Sequence, residues 1–449
     1  METIDLLLTA RWILPIAPKN CVLEHHALAI HAGRIKALLP LEEAKQQYYA
    51  ENYLDLKDHV LMPGLVNMHT HAAMNLFRGL ADDLQLMDWL NNYIWPAEKA
   101  IINAESVEVG TRLAIAEMLR GGITCFNDNY FYHDTVATVA AQEGMRACAG
   151  LLIMNVGTAW AKNEKEYLAR AKATLENNAH LPGITWALTP GHPFTVSDAS
   201  LIEIKNLAEK YDTPIHMHVH ETRAELEGSM KDYGMHPLAR LHQLGLLSKR
   251  FIAIHMTQLT EAEIELVSST KTNVVHCPES NLKLCSGFAP IAKLLKANVN
   301  VSIGTDGAAS NNDLDLFGEM RTAAFIAKAV SGDPTTLPAH EALAMATING
   351  AKALGLANEI GSLEAGKAAD VIAIDLSSYL TQPVYNPVSH LVYALNRLQV
   401  SDVWVAGKRL LKSGELIRLD VERTLAQAAR WTQQIAPFKY PKSTESIRA

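Results

Sequence analysis

From residue 64 to about 305 the chain keeps one rhythm, a short apolar run followed by a longer segment whose apolar positions recur at helical spacing. The runs at 64–69, 123–128, 146–153, 184–189, 214–220, 251–256, 273–276 and 299–305 predict eight strands. Between them, 105–120 predicts a helix, because Val109, Leu113, Ile115, Ala116 and Leu119 favour one face and glycine stands at the stop. Helices are also predicted over 199–211 and 237–247. Eight strands alternating with helices in this way predict the α/β class, a (β/α)8 TIM barrel with inserted loops. Before residue 60 and after 360 the rhythm changes. VLEHHALAIHAGRIKALLP alternates about Ala32 and Gly33, and GSLEAGKAADVIAIDL and VSDVWVAGKRLLKSGELI read as strands and tight turns. The expected organisation is an N-terminal β segment (1–60), a barrel (61–360) and a C-terminal β segment (361–449) with a terminal helix. The two β segments are expected to pack together as a small β-sandwich domain.

The composition is globular, 49% hydrophobic and 20% charged. With 40 basic against 48 acidic residues the formal charge is -8. That balance disfavours nucleic acid and anionic membrane as partners and favours a small ligand. Five cysteines, odd in number and without a C-x-x-C pair, predict neither a disulfide framework nor a thiolate zinc cage. The opening run METIDLLLTARWILPI carries Asp5 and Arg11 and no basic leader, and no apolar span has the length of a bilayer crossing. A soluble cytoplasmic protein is expected.

The first run ends as LMPGLVNMHTHAAM, with two histidines one residue apart. In an extended chain alternate side chains share a face, so His69 and His71 project the same way. Alone, such a pair more often caps a core and meets water. In α/β barrels, however, chemistry collects at the carboxyl ends of the strands. Four of the eight runs end in groups that bind metal or move protons. The first has His69 and His71, the fifth His216, His218 and His220 followed by Glu221, the sixth His255, and the eighth Asp306. These nitrogen and oxygen donors suit zinc or another borderline metal. Alternation puts His216, His218 and His220 on one face and does not choose among them. Asp306, between Thr305 and Gly307, would equally serve as a turn former or helix cap. Joint placement at four strand ends is what favours a metal site. Glu221 would stand at the barrel mouth, either as a proton shuttle or as a solvated charge beside Arg223 and Glu225. Three protein ligands and a water leave an open zinc position where the water's pKa falls to about 7, so hydrolytic chemistry is expected.

PGLVNMHTHAAMNLFRGLADDL, HMHVHET, HCPESNLKL and GTDGAASNNDLDLFGEM, with the GSLEAGKAAD tail, resemble the amidohydrolase superfamily over most of the chain. Within it they are most similar to the mononuclear aromatic deaminases of the 5'-methylthioadenosine/S-adenosylhomocysteine branch. The resemblance implies one zinc ion per subunit, with iron or manganese as alternatives, held by His69, His71, His218 and Asp306. His218 is selected because it stands three residues before the glutamate in HVHE. By the same resemblance Glu221 is the proton shuttle, His255 hydrogen-bonds the activated hydroxide, and Asp306 takes its proton. The substrate would meet Trp89 against the nucleoside, Glu98 at the ribose hydroxyls, and His192, Ser310 and Glu221. Where the family places histidine directly after proline on strand four, this chain reads TPGHPFTVS, with Gly191 at that position and His192 shifted by one. Arg146, in GMRA, is a candidate partner for a homocysteine carboxylate. The implied reaction is hydrolytic deamination of an adenine nucleoside at C6, in a homo-oligomer.

Strand four, ITWALTPGHP, has no lysine, which excludes the binuclear amide-ring hydrolases that carry a carboxylated lysine there. The H-x-E and P-C-x-x-C pair of zinc cytidine-type deaminases is absent as well. Guanine or pterin deamination and triazine chlorohydrolysis are the alternative reactions. An inert barrel serving as a scaffold is the alternative class, and it would hold no metal.

Overall fold

The computed structural model describes residues 1–177 and 181–440. The last nine residues of the predicted C-terminal segment lie outside this range. Eight parallel strands form the barrel in chain order, Leu65–Thr70, Ile123–Asp128, Arg146–Ile153, Ile184–Pro190, Ile215–Val219, Phe251–His255, Asn273–His276 and Val301–Ile303. All eight predicted strands are present. The eighth is shorter than 299–305, because the chain leaves it to lean on the first strand. There Thr305 N donates to Asn67 Oδ1 (3.0 Å) and Asp306 N to the His69 carbonyl (2.9 Å), joining the two ends of the sheet.

The predicted helices at 105–120 and 199–211 are Ala104–Arg120 and Asp198–Tyr211. Asn103 starts the first, accepting from Ser106 N at 3.0 Å while the Ser106 hydroxyl accepts from Asn103 N. The third is shorter than 237–247, running Pro237–Gln243. Gly245 at φ +76 breaks the spiral, although Leu246 and Leu247 beyond it are buried and continue the apolar pattern.

The terminal segments build one eight-stranded mixed sheet, which accounts for the expected second unit. Its order is Glu415–Leu416, Lys408–Lys412, Val400–Val405, Val371–Asp375, Tyr48–Pro63, Glu2–Ile13, His26–His31 and Arg34–Pro40. The halves join where Val371–Asp375 pairs antiparallel with Tyr48–Pro63, a strand that runs past residue 60 before the chain enters the barrel. Leu6, Leu8, Leu28, Ile30, Leu61, Val371 and Trp404 make a core of their own in this sheet. The terminal helix is Val421–Ile435, with Trp431 and Ile435 buried on the main core. Among the described residues no helix is long and apolar enough to cross a membrane.

Candidate active site

Four of the strand ends singled out above converge. The His69 ring centroid lies 4.8 Å from those of both His71 and His218, and 5.8 Å from that of His255. Asp306 Oδ1 is 3.3 Å from His69 Nε2 and 3.2 Å from His71 Nε2. One potential ligand atom from each of His69, His71 and Asp306 falls within 4.8 Å of the others, and the same is true of His69, His218 and His255. His69 lies within the first barrel strand and His71 one residue past its end. The ladder between the first two barrel strands shifts register between Asn67 and Thr70, and this local irregularity accompanies their convergence.

The tautomers follow from the partners. His71 Nδ1 meets the Asn129 carbonyl at 2.5 Å and His218 Nδ1 the Gly191 carbonyl at 2.9 Å, so both donate there, and in the neutral ring it is Nε2 that keeps the lone pair. His255 Nδ1 donates to Asn281 Oδ1 at 2.8 Å with the same consequence. This is the support that metal-bound histidines receive. His69 is fully buried, and neither ring nitrogen has a hydrogen-bond partner. A tetrahedral cation with ligand bonds of about 2.0–2.1 Å sets its donors about 3.3–3.4 Å apart. The two distances from Asp306, to His69 and to His71, lie close to that spacing, and a positive charge would satisfy the orphaned ring. The donors present therefore fit a zinc-type cation.

Electrostatics agrees. Burial pushes the Asp306 carboxyl up, but His69 and His71 outweigh it and hold the group well below the carboxylate range. Its far oxygen accepts from the hydroxyls of Ser280 (2.7 Å) and Ser310 (2.8 Å), and its near one from Gly307 N (2.8 Å). Burial lowers His69 to about 4 and drives His218 well down, keeping both rings neutral and able to ligate. At His71 burial acts the same way, but the Asp306 carboxylate and the Asn129 carbonyl lift the ring to about 9. Asp306 thus draws a positive charge to itself. Burial also raises Glu221, helped by the Asp306 charge and opposed by His255. The Glu221 Oε1 accepts from the Ser286 hydroxyl at 3.3 Å.

The three histidines of strand five separate. His216 and His218 both turn inward, the His216 ring 5.0 Å from that of His69 and without a hydrogen-bond partner on either nitrogen. His220 lies past the strand end at φ +54 and leaves the shared face. Its Nδ1 donates to the Gln258 carbonyl (2.8 Å) and its Nε2 accepts from Leu238 N (3.1 Å). Despite its shifted position, His192 reaches the site, its ring stacked 4.5 Å from that of His218. Ser310 touches Asp306 and the Gly307 carbonyl, and Trp89 is buried among core side chains at 6% exposure. Glu98 accepts from the Tyr130 hydroxyl at 2.6 Å, and the Tyr130 ring lies 6.2 Å from that of His71. Arg146 does not stand at the barrel mouth. It stands at the start of the third strand, and its guanidinium bonds both oxygens of buried Asp370, at 2.6 and 3.1 Å.

Sequence reasoning assigned nothing to Asp128, Tyr130, Glu225, Ser280 or Asn281. Asp128 accepts from the Thr70 hydroxyl (2.9 Å) and Ala72 N (2.7 Å), bracketing His71. Two signals were available. Polar residues crowd the end of strand two in FNDNY, and Ser280 and Asn281 sit within the quoted HCPESN motif.

A barrel with imidazoles and a carboxylate gathered at its carboxyl-end mouth defines a metal-dependent hydrolase architecture. The chain belongs to the Amidohydrolase family, which it matches over residues 60–410. It is 45% identical over 433 residues to the 5-methylthioadenosine/S-adenosylhomocysteine deaminase of Teredinibacter turnerae, covering 96% of this chain and 98% of that protein. The enzyme of the same name from Saccharophagus degradans is likewise 45% identical, with 96% and 97% covered. Among solved structures, an adenosine deaminase from Xanthomonas campestris with bound zinc superposes at a TM-score of 0.95. It shares 51% identity, over 97% of this chain and 99% of that one.

Proposed function

We propose that this protein is a zinc-dependent hydrolytic deaminase of adenine nucleosides, converting 5'-methylthioadenosine, S-adenosylhomocysteine or adenosine to the inosine analogue and ammonia. The observation that carries the reading is the pair of donor triads that share His69, one with His71 and Asp306 and the other with His218 and His255, in a chain 45% identical to deaminases of that name. His69, His71, His218 and Asp306 would hold the ion, and zinc supplies the Lewis acidity that makes water nucleophilic at neutral pH. The protein's own groups then move the protons. Glu221, its carboxyl raised by burial, is the proposed proton donor to the ring nitrogen beside C6. His255 Nε2, left an acceptor by the bond to Asn281, orients the attacking water. Asp306, with its charge held by Ser280 and Ser310, accepts the water's proton. At C6 a C–O bond forms and the C–N bond breaks; the proton taken by Asp306 leaves with the amine as ammonia, the ring nitrogen keeps the proton from Glu221, and the C6 hydroxyl returns a proton to Glu221 as the carbonyl forms. His192, Trp89, Glu98 and Ser310 are the proposed substrate contacts.

The protein is read as a cytoplasmic homo-oligomer, divided into segments 1–60, 61–360 and 361–449. The continuous sheet core at Leu8, Leu61 and Val371 supports treating the outer two as one unit. Ammonia release from adenosine, methylthioadenosine, S-adenosylhomocysteine and guanine, with chloride release from a chlorotriazine and zinc content alongside, tests the reading. Adenine nucleosides should turn over fastest. His218→Ala should lose zinc and activity together. Glu221→Gln should keep zinc and slow turnover by about 10²–10⁴-fold. Wild-type turnover in Glu221→Gln would overturn the mechanism, and faster guanine or chlorotriazine turnover would overturn the substrate class.

A further inference from the structure

The helix Arg223–Tyr233 starts immediately after Glu221 and Thr222. Thr222 caps it, its hydroxyl oxygen accepting from Glu225 N at 3.3 Å, so Thr222 and Glu225 have the spacing of a capping box. In an ordinary box the glutamate returns to the cap residue's own amide. Here Glu225 reaches further back along the chain. Its Oε1 accepts from His220 N at 3.1 Å and its Oε2 from Glu221 N at 2.8 Å. Those two amides belong to the turn that ends strand five, where His220 holds a left-handed φ of +54. A non-glycine residue held in that region is strained, and its surroundings must hold it there. The Glu221 carbonyl is fixed from the other side, accepting from the Thr257 hydroxyl at 2.6 Å. Glu225 forms no ion pair among the described residues, so its interactions are spent on this backbone.

We infer that Glu225 is a positioning residue for Glu221, its carboxylate clamping the His220–Glu221 peptide so that the Glu221 side chain stays aimed at the site beside His255 and Asp306. The inference rests on the reading of Glu221 as proton shuttle. A carboxylate that only caps a helix would affect stability. One that aims Glu221 acts on turnover, and only while Glu221 is present to be aimed.

The test is a double-mutant cycle on the full-length zinc-loaded enzyme, with kcat, KM and zinc content measured for wild type, Glu225→Ala, Glu225→Gln, Glu221→Gln and the double variants. Glu225→Ala should lower kcat about 10²-fold, the scale expected of misplacing a reacting group by an ångström, with KM and zinc content held. Glu225→Gln keeps one carbonyl acceptor and should recover part of the loss. In the Glu221→Gln background the Glu225→Ala change should cost less than about 3-fold. Equal losses in both backgrounds, or wild-type kcat in Glu225→Ala, overturn the inference while the proposed function stands. Wild-type turnover in Glu221→Gln overturns both. If Glu225→Ala does not accumulate as folded zinc protein, the cycle with Glu225→Gln decides by the same comparison.

Discussion

At the scale of single residues, environment sets what each group can do. Glu98 illustrates it, because burial lifts its carboxyl to about 7 while the hydrogen bond from Tyr130 pulls the other way. If ionised Glu98 accepts from ribose hydroxyls, KM should rise as pH falls through about 7, since protonation removes an acceptor. Tyr130→Phe deletes the lowering influence and should move that inflection to higher pH. KM profiles of the two proteins check this, and an unmoved inflection would refute the ribose role. The strand-five histidines show how far residue types alone lead. Alternation placed His216, His218 and His220 on one face, and two of them do turn inward, but a single left-handed φ removes His220. Periodicity carries no information about that one torsion.

At the scale of elements, packing distances decide what substitution allows. The helix Ala104–Arg120 lies against the short Ala72–Phe77 turn that follows His71, and Gly110 is the contact point. A Cβ there would stand 2.3 Å from the Ala73 carbonyl oxygen and 2.8 Å from its Cα. Helix propensity alone would make Gly110→Ala stabilising by about 1 kcal/mol. A collision with backbone cannot be relieved by a rotamer change, and overpacking of this kind costs about 1–3 kcal/mol or more. Net destabilisation is therefore expected, with weaker zinc retention because the displaced turn adjoins His71. A urea midpoint and zinc content measure both, and an unchanged or raised midpoint would refute the packing argument. Element existence was legible because each strand and helix carries its own hydrophobic period, as at Ile123–Asp128 and Asp198–Tyr211. Ends were less so. Leu246 and Leu247 look helical by pattern but lie beyond the turn at Gly245.

At the scale of the whole molecule, Glu117 gathers four regions of the chain. Its carboxylate pairs with Arg78 after the first barrel strand and accepts from Leu314 N at 3.1 Å and from Arg397 of the C-terminal segment at 3.0 Å. Burial pushes its carboxyl up, yet Arg78, the Leu314 amide and Arg397 together hold it below the ordinary value of 4.5. A depressed carboxyl contributes stability that is present above the unfolded value and lost as pH falls through the lower folded one. Glu117→Gln should thus cost about 1–3 kcal/mol near neutrality, discounted because Arg78 and Arg397 are partly exposed. The difference from wild type should shrink on acidification below about pH 4.5. Denaturant melts at both pH values check it, and a constant difference would refute the linkage. The sequence by itself determined the alternating architecture and the placing of ligand-type groups at strand ends, because these follow from local periodicity and residue chemistry, whereas the preference for His218 among the strand-five histidines came only from what the motif resemblance implies. Tertiary structure alone decided that Arg146 pairs with Asp370, that Tyr130 meets Glu98, and that Glu225 clamps the turn before it. Hydrogen bonds and charge pairs form between groups whose distances and torsions are fixed only when the barrel closes, and no repeat in the chain encodes them.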